Sequence, residues 1–159
     1  MKILCWNVRG LSWASESAPT LKLVLELSKR YQVPFICLLE TKSDLHHFDF
    51  FDANRFPSWE SSTNFHLIEN GRIGLFWDTN RVTCDVLEVC EQHMHLQVHC
   101  KVTQHVFLAT FIYNVYSVPG RRDLWEYLAQ LGASITSPWI VLGDFNYFLS
   151  PRTNEEGRR

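Results

Sequence analysis

The chain is poor in the features that mark secreted, membrane or metal-finger proteins. Its five cysteines, Cys5, Cys37, Cys84, Cys90 and Cys100, form no Cys-x-x-Cys pair. That spacing excludes a structural zinc finger and predicts buried free thiols in a reducing compartment. No Asn-x-Ser/Thr sequon occurs. The longest apolar stretch, Val106 to Tyr113, is far too short to span a bilayer. The opening Met1-Lys2-Ile3-Leu4-Cys5-Trp6 meets Asn7 and Arg9 too soon for a signal peptide. Cytosol or nucleus is the expected location, without secretion or membrane attachment. Basic excess is also missing. A formal net charge of −2 excludes a non-specific nucleic-acid coat. It leaves room for a nuclease, because a bound divalent cation can meet phosphate in place of a lysine field.

What is present is a core. Of 159 residues, 46% are hydrophobic and 14% aromatic, enough for one packed domain and too few for two. No tandem repeat, low-complexity tract or linker interrupts it.

Apolar patterning orders the elements. Lys2–Trp6 predicts a short strand. Pro19 suits a first helical position, and Leu21, Val24, Leu25 and Leu27 carry a helical stripe to about Tyr31. Phe35–Leu39 is apolar on both faces, as a central strand requires. Ser43 or Asp44 caps a predicted short helix bearing Leu45, Phe48 and Phe51. From about Ser58 the pattern is β, with Ile73–Trp77 and Val82–Glu91 as strands. His93–Lys101 alternates strictly, with Met94, Leu96, Val98 and Cys100 on one face. His93, His95, Gln97, His99 and Lys101 then form the expected solvent face. Val106–Tyr113 is another strand. Pro119-Gly120 opens a helix with Leu124, Trp125, Leu128 and Leu131 on one side, and Trp139–Leu142 is a last, buried strand. Strands and helices in this order predict an α/β arrangement with mixed β-pairing.

Polar groups sit at four strand ends: Asn7, Glu40, Tyr113 and the pair Asp144/Asn146. Open α/β sheets place ligand chemistry at such ends. A strand-end carboxylate suits a hard cation such as Mg²⁺. A second carboxylate orients or deprotonates water, and amide or phenol donors stabilise charge on phosphoryl oxygens. Each residue alone reads more readily as a turn, surface or core residue; their co-occurrence in this order carries the signal.

The segments KILCWNVRGL, ICLLETK, GRIGLFWDTNRV, TFIYNVYSVPGRRDLWEYL and PWIVLGDFNYFLSP resemble, in order, the motifs of the endonuclease/exonuclease/phosphatase superfamily. They are most similar to the endonuclease domains of plant non-LTR (LINE-type) retrotransposons. The resemblance implies a four-layer α/β sandwich of two mixed sheets, of which residues 1–159 form the N-terminal portion with an incomplete second sheet. It implies Mg²⁺- or Mn²⁺-dependent phosphodiester hydrolysis with DNA as partner. Carried over, Glu40 is the main metal ligand with Asn7 beside it. Tyr113 faces the scissile phosphate, Asp144 orients or activates the nucleophile, and Asn146 helps hold the phosphate and a catalytic histidine.

Three departures from the family pattern stand out. Tyr116 occupies the place of an expected phosphate-contacting Asn, with Asn114 nearby but out of register. Gly74 stands where plant relatives often have Trp. The Ser-Asp-His motif of the family's second half is missing, so the chain is expected to be C-terminally truncated and weakly active or inactive. The first sheet's inner face is then expected to lack its cover, giving an aggregation-prone product unless another chain completes it; no oligomer is otherwise indicated. Two alternatives remain open: a phosphatase of the same superfamily, acting on inositol phosphates or phospholipid, and a non-catalytic remnant that binds nucleic acid or protein.

Overall fold

The computed structural model describes residues 1–11, 19–43, 58–68, 71–114 and 118–146. The short helix expected after Ser43, His46, His47 and Tyr116 lie outside the described residues.

In chain order the elements are β1 (Ile3–Asn7), α1 (Pro19–Tyr31), β2 (Phe35–Leu39), β3 (Trp59–Thr63), β4 (Ile73–Asp78), β5 (Val82–Val89), β6 (His93–Cys100), β7 (Val106–Tyr113), α2 (Val118–Ser134) and β8 (Trp139–Asp144). They make two four-stranded mixed sheets, ordered β1-β2-β4-β3 and β5-β6-β7-β8. Each sheet contains one parallel pair joined through a helix: β1-α1-β2 and β7-α2-β8. Such a crossover aligns both carboxyl ends of a pair at one edge.

The sheets pack face to face. Phe35, Leu39, Leu75 and Trp77 of the first meet Met94, Leu96, Phe111 and Tyr113 of the second in one buried cluster. The Phe35 and Phe111 rings stack at 5.1 Å across this interface. Alternation sends Ile36, Leu38 and Phe76 to the opposite face, where Val24 and Leu25 of α1 cover them. Leu124 and Leu128 of α2 cover Ile112 on the outer face of the second sheet. The result is the α/β/β/α sandwich implied by the sequence resemblance.

Three expectations are corrected. The first sheet's inner face is not bare, because β5, β6 and β7 already supply a full opposing face. The last strand is not a buried central one: β8 is the end strand of its sheet among the described residues, and Ile140 is exposed. The polar face of β6 is solvated only at its far end, where Gln97 is exposed. His93 and His95 are buried. Tyr127 of α2 stacks on His93 at 3.9 Å, and His95 Nδ1 hydrogen-bonds Thr110 Oγ1 at 2.8 Å. Alternation reports polarity, whereas a helix crossing half the face decides burial. All five cysteines are free thiols, of which Cys37 and Cys100 are buried and the others partly so.

Candidate active site

The carboxyl ends of the two parallel pairs meet. Asn7 ends β1, Glu40 follows β2, Tyr113 ends β7 and Asp144 ends β8, in register with Tyr113. Asn7 Nδ2 donates to Asp144 Oδ2 at 2.7 Å, linking the sheets between residues 137 positions apart. Asp144 Oδ1 accepts the backbone N–H of Asn146 at 2.9 Å. Both carboxylate oxygens are therefore held in place. Asn7 Oδ1 accepts from the Arg9 N–H at 3.0 Å, which closes the turn leaving β1.

Glu40 is largely enclosed, with a side-chain exposure of 17%. Burial pushes its carboxyl up. Hydrogen bonds from Lys42, Asn7 and Tyr113, with the Lys42 charge, outweigh that and hold it below the usual carboxylate range. Lys42 Nζ lies 3.1 Å from Glu40 Oε1, on a side chain that is itself 56% exposed. The Arg72 guanidinium sits 5.2 Å from the Tyr113 ring centroid. Neither cation is marked by the strand-end pattern, although both lie inside family-like segments, Lys42 in ICLLETK and Arg72 in GRIGLFW.

Backbone geometry shapes the loops. Glu40 and Lys42 have φ of 53° and 52°, pinned by Glu40 N–H to Arg72 carbonyl (2.7 Å) and Lys42 N–H to Gly71 carbonyl (2.9 Å). Gly143 has φ 150°, and a Cβ there would lie 1.9 Å from the Ile112 carbonyl oxygen. Only glycine lets β8 approach β7 closely enough to deliver Asp144 beside Tyr113.

Asn146 is buried, and its Nδ2 donates to the Asn114 carbonyl at 2.5 Å. Asn114 in turn donates from Nδ2 to the Phe145 carbonyl at 3.0 Å. These two amides clasp the loop after β8 to the end of β7. Asn114 thus spends its donor on the backbone instead of presenting it beside Tyr113. Asn7, Glu40, Tyr113, Asp144 and Asn146 are all brought to one edge. Among the described residues, no hydrogen bond or ion pair joins a histidine to Asp144. His93 and His95 face outward under α2.

A model of the Endonuclease/Exonuclease/phosphatase family matches residues 4–158. A sequence search among curated proteins finds no match. Similar solved structures include the human Nocturnin catalytic domain with bound sulfate, at 19% identity and TM-score 0.60, covering 91% of this chain and 64% of that one. The mannosyl-6-phosphatase of Bacteroides thetaiotaomicron has 14% identity and TM-score 0.64, covering 91% and 64%. TDP2 of D. rerio, complexed with single-strand DNA product, has 13% identity and TM-score 0.59, covering 92% and 60%. The chain spans less than two thirds of each, and at these identities the likeness is one of fold. With the family's pattern running through almost the whole sequence and its two-sheet sandwich in the structure, the chain belongs to the endonuclease/exonuclease/phosphatase family.

Proposed function

We propose that this chain is a Mg²⁺- or Mn²⁺-dependent DNA phosphodiesterase of the retrotransposon endonuclease type. The observation that carries the reading is the joint between the sheets. Asn7 bonds Asp144 at 2.7 Å, and Glu40 lies at the same edge, its carboxyl held below the usual range by its Lys42, Asn7 and Tyr113 neighbours against the effect of burial. Two acids, an amide and a phenol thus share one strand-end edge.

The donor set fits a hard cation. Glu40 offers carboxylate oxygens and Asn7 an amide oxygen. Lys42 already places a positive charge on Glu40, and its exposed side chain is free to swing aside. Glu40 and Asn7 would hold the ion, which when bound neutralises charge on the phosphate and polarises the bond to phosphorus.

The remaining work falls to the chain's own groups. Asp144, with both oxygens fixed by Asn7 and the Asn146 N–H, orients the attacking water and accepts its hydrogen bond. Tyr113 and Arg72 place a phenol and a guanidinium where phosphoryl oxygens gather charge. Asn146 acts as a positioning residue through its bonds to Asp144 and Asn114. No histidine among the described residues is bonded to Asp144 as an acid–base partner. We therefore expect slow nicking from this chain alone, since a general acid–base pair typically contributes about 10²–10⁴-fold. A DNA substrate fits the retrotransposon-type segments and the nucleic-acid product held by the similar D. rerio TDP2.

The test is relaxation of supercoiled plasmid with Mg²⁺, comparing the parent chain with Glu40→Ala and Asp144→Ala. Slow Mg²⁺-dependent nicking by the parent, absent from both variants, is expected. Equal background in all three overturns the proposal.

A further inference from the structure

A second cluster of ligating groups, sharing no residue with the Glu40 set, lies at the turn between β5 and β6. Glu88, Cys90 and His93 bring one donor atom each to within 4.8 Å of one another. Glu88 Oε1 is 3.5 Å from His93 Nε2 and 3.5 Å from Cys90 Sγ. Tetrahedral zinc, with bonds of about 2.0–2.3 Å, requires donor separations of about 3.3–3.5 Å. Those two separations are thus already those of a tetrahedral site.

Two independent features point to a ligand. The first is His93 itself. Its ring is buried, and Nε2 makes no hydrogen bond, its one described polar neighbour being the Glu88 carboxylate at a long 3.5 Å. An orphaned buried imidazole nitrogen is costly unless something binds it. The second is a β-bulge. The β5/β6 register steps between Val86 and Glu88, leaving Leu87 as the extra residue. Val82, Cys84 and Val86 pair with the inward-facing Cys100, Val98 and Leu96. Without the extra residue Glu88 would continue that inward series. With it, Glu88 pairs His95 and turns to the outer face, beside His93.

The surroundings hold the three donors in place. Tyr127 Oη donates to Glu88 Oε2 at 2.8 Å while its ring stacks on His93. The Cys90 N–H bonds the His93 carbonyl at 2.8 Å, and Asn64 Nδ2 donates to the Cys90 carbonyl at 3.1 Å. Supporting bonds of this kind orient ligands in metal sites. Beside them opens a cleft of about 500 Å³ lined by Leu67, Cys90, His93, Asp123 and Tyr127, which gives an ion an entry path and a solvent position.

We propose that Glu88, Cys90 and His93 form a site for a zinc-like transition-metal cation, completed by water from the cleft. Thiolate, imidazole and carboxylate together select a borderline-soft ion and disfavour Mg²⁺ or Ca²⁺. The site is therefore chemically distinct from the oxygen-only set at Glu40 and Asn7. Burial pushes the His93 imidazole down, outweighing the Glu88 charge that pushes it up, which favours the neutral form a ligand needs. Burial and the nearby Glu88 and Glu91 charges push the Cys90 thiol up. Binding forms the metal–sulfur bond and releases the thiol proton to solvent. The ion acts as a clip on the β5–β6 turn. That turn reaches the active edge directly, since the Gln92 carbonyl accepts the Tyr113 N–H at 2.9 Å.

The test is a titration of the chelator-treated, folded chain with Co²⁺, then displacement by Zn²⁺. A thiolate-to-cobalt charge-transfer band saturating at one equivalent is expected. Cys90→Ser, at a partly exposed position that folding tolerates, abolishes it. His93→Gln weakens binding by about tenfold or more. Cys84→Ser and Glu40→Ala leave the band intact. The proposal is overturned if circular dichroism shows a folded chain that gives no band, if the band survives Cys90→Ser, or if it is lost in Cys84→Ser.

Discussion

Replacing Gly143 with alanine tests how the active edge is assembled. A Cβ at this position would lie 1.9 Å from the Ile112 carbonyl oxygen and 2.8 Å from Ile112 Cγ1. Ile112 is the register partner of Gly143 in the parallel β7/β8 ladder, so the obstacle is backbone and cannot rotate away. The residue also holds φ 150°, which an L side chain rarely adopts. Forcing such a conformation costs about 1–3 kcal/mol. Overpacking a tight contact costs about 1–3 kcal/mol more. Together these give a loss of about 4 kcal/mol. For a chain of this length, each kcal/mol shifts the melting temperature by about 2–4 °C. The expected fall is therefore about 8–16 °C.

The control is Gly132→Ala, on the exposed surface of α2. There the added Cβ would meet only the rim of the Trp139 ring, at 3.1 Å. Alanine is favoured over glycine in a helix by about 1 kcal/mol, so a slight adjustment of the ring leaves stability within about 1 kcal/mol of the parent. Thermal unfolding followed by circular dichroism compares the two. If Gly143→Ala melts within about 2 °C of Gly132→Ala, the close approach of β8 to β7 is not what glycine provides. The substitution also moves Asp144, whose carbonyl accepts the Asn114 N–H at 2.9 Å, so plasmid nicking is expected to fall along with stability.

Asn64 is fully buried and joins the sheets. Its Nδ2 donates to the Cys90 and Glu91 carbonyls at 3.1 and 3.0 Å, and its Oδ1 accepts the Ile73 N–H at 2.9 Å. Asn64→Ala strands these backbone groups and is expected to destabilise by about 3 kcal/mol; an unchanged urea midpoint refutes this. Burial, then the Asp85 and Glu60 charges, push the Cys84 thiol up to about 12. Its thiolate fraction near neutral pH is then roughly 10³-fold below that of an ordinary thiol. Mass mapping after iodoacetamide is expected to show Cys84 protected in the folded chain and labelled in urea; equal rates in both states refute it. Lys42→Ala removes the cation that occupies Glu40. For so exposed a pair the stability change is about 0–1 kcal/mol, and Mg²⁺ affinity rises by up to about fivefold. Calorimetry showing weaker Mg²⁺ binding in this variant refutes the competition.

Local patterning carried most of the element order. The apolar run Phe35–Leu39 and the stripe from Pro19 to Tyr31 coincide with β2 and α1, because continuous and 3.6-residue apolar patterns admit few other solutions. The five polar residues at four strand ends were legible as candidates because a carboxylate or amide just after an apolar run stands where a buried strand meets its ligand edge. Their mutual contacts were not. Asn7 and Asp144 meet only because two βαβ units from different sheets align their carboxyl ends, and nothing local encodes that alignment. The buried histidines were missed for the same reason. His93 and His95 alternate with apolar residues as a solvated face does, and only long-range contacts, Tyr127 of α2 on His93 and Thr110 of β7 on His95, distinguish them from one. The bulge at Leu87 was equally hidden, since one extra residue leaves no mark on composition yet reverses the facing of Glu88.

Backbone strain adds a separate argument for where function lies. Arg9, Gly10, Glu40, Lys42, Gly143 and Asn146 all have positive φ and all lie at the edge where the two parallel pairs meet. Gln32 and Gln104 are the other described residues with positive φ. A left-handed conformation costs a residue such as Glu or Lys about 1–2 kcal/mol. Asparagine and glycine bear it more easily, yet Glu40 occupies the position that aims a carboxylate at Asn7 and Tyr113. The fold over-determines the strain. The Glu40 N–H is held by the Arg72 carbonyl and its own carbonyl by the Gly10 N–H, each at 2.7 Å, and the Thr41 hydroxyl is bonded to the Gly71 carbonyl at 2.9 Å. Holding a glutamate in this conformation, against a local penalty and with two backbone bonds and the neighbouring Thr41 hydroxyl to fix it, supports the role proposed above for its carboxylate.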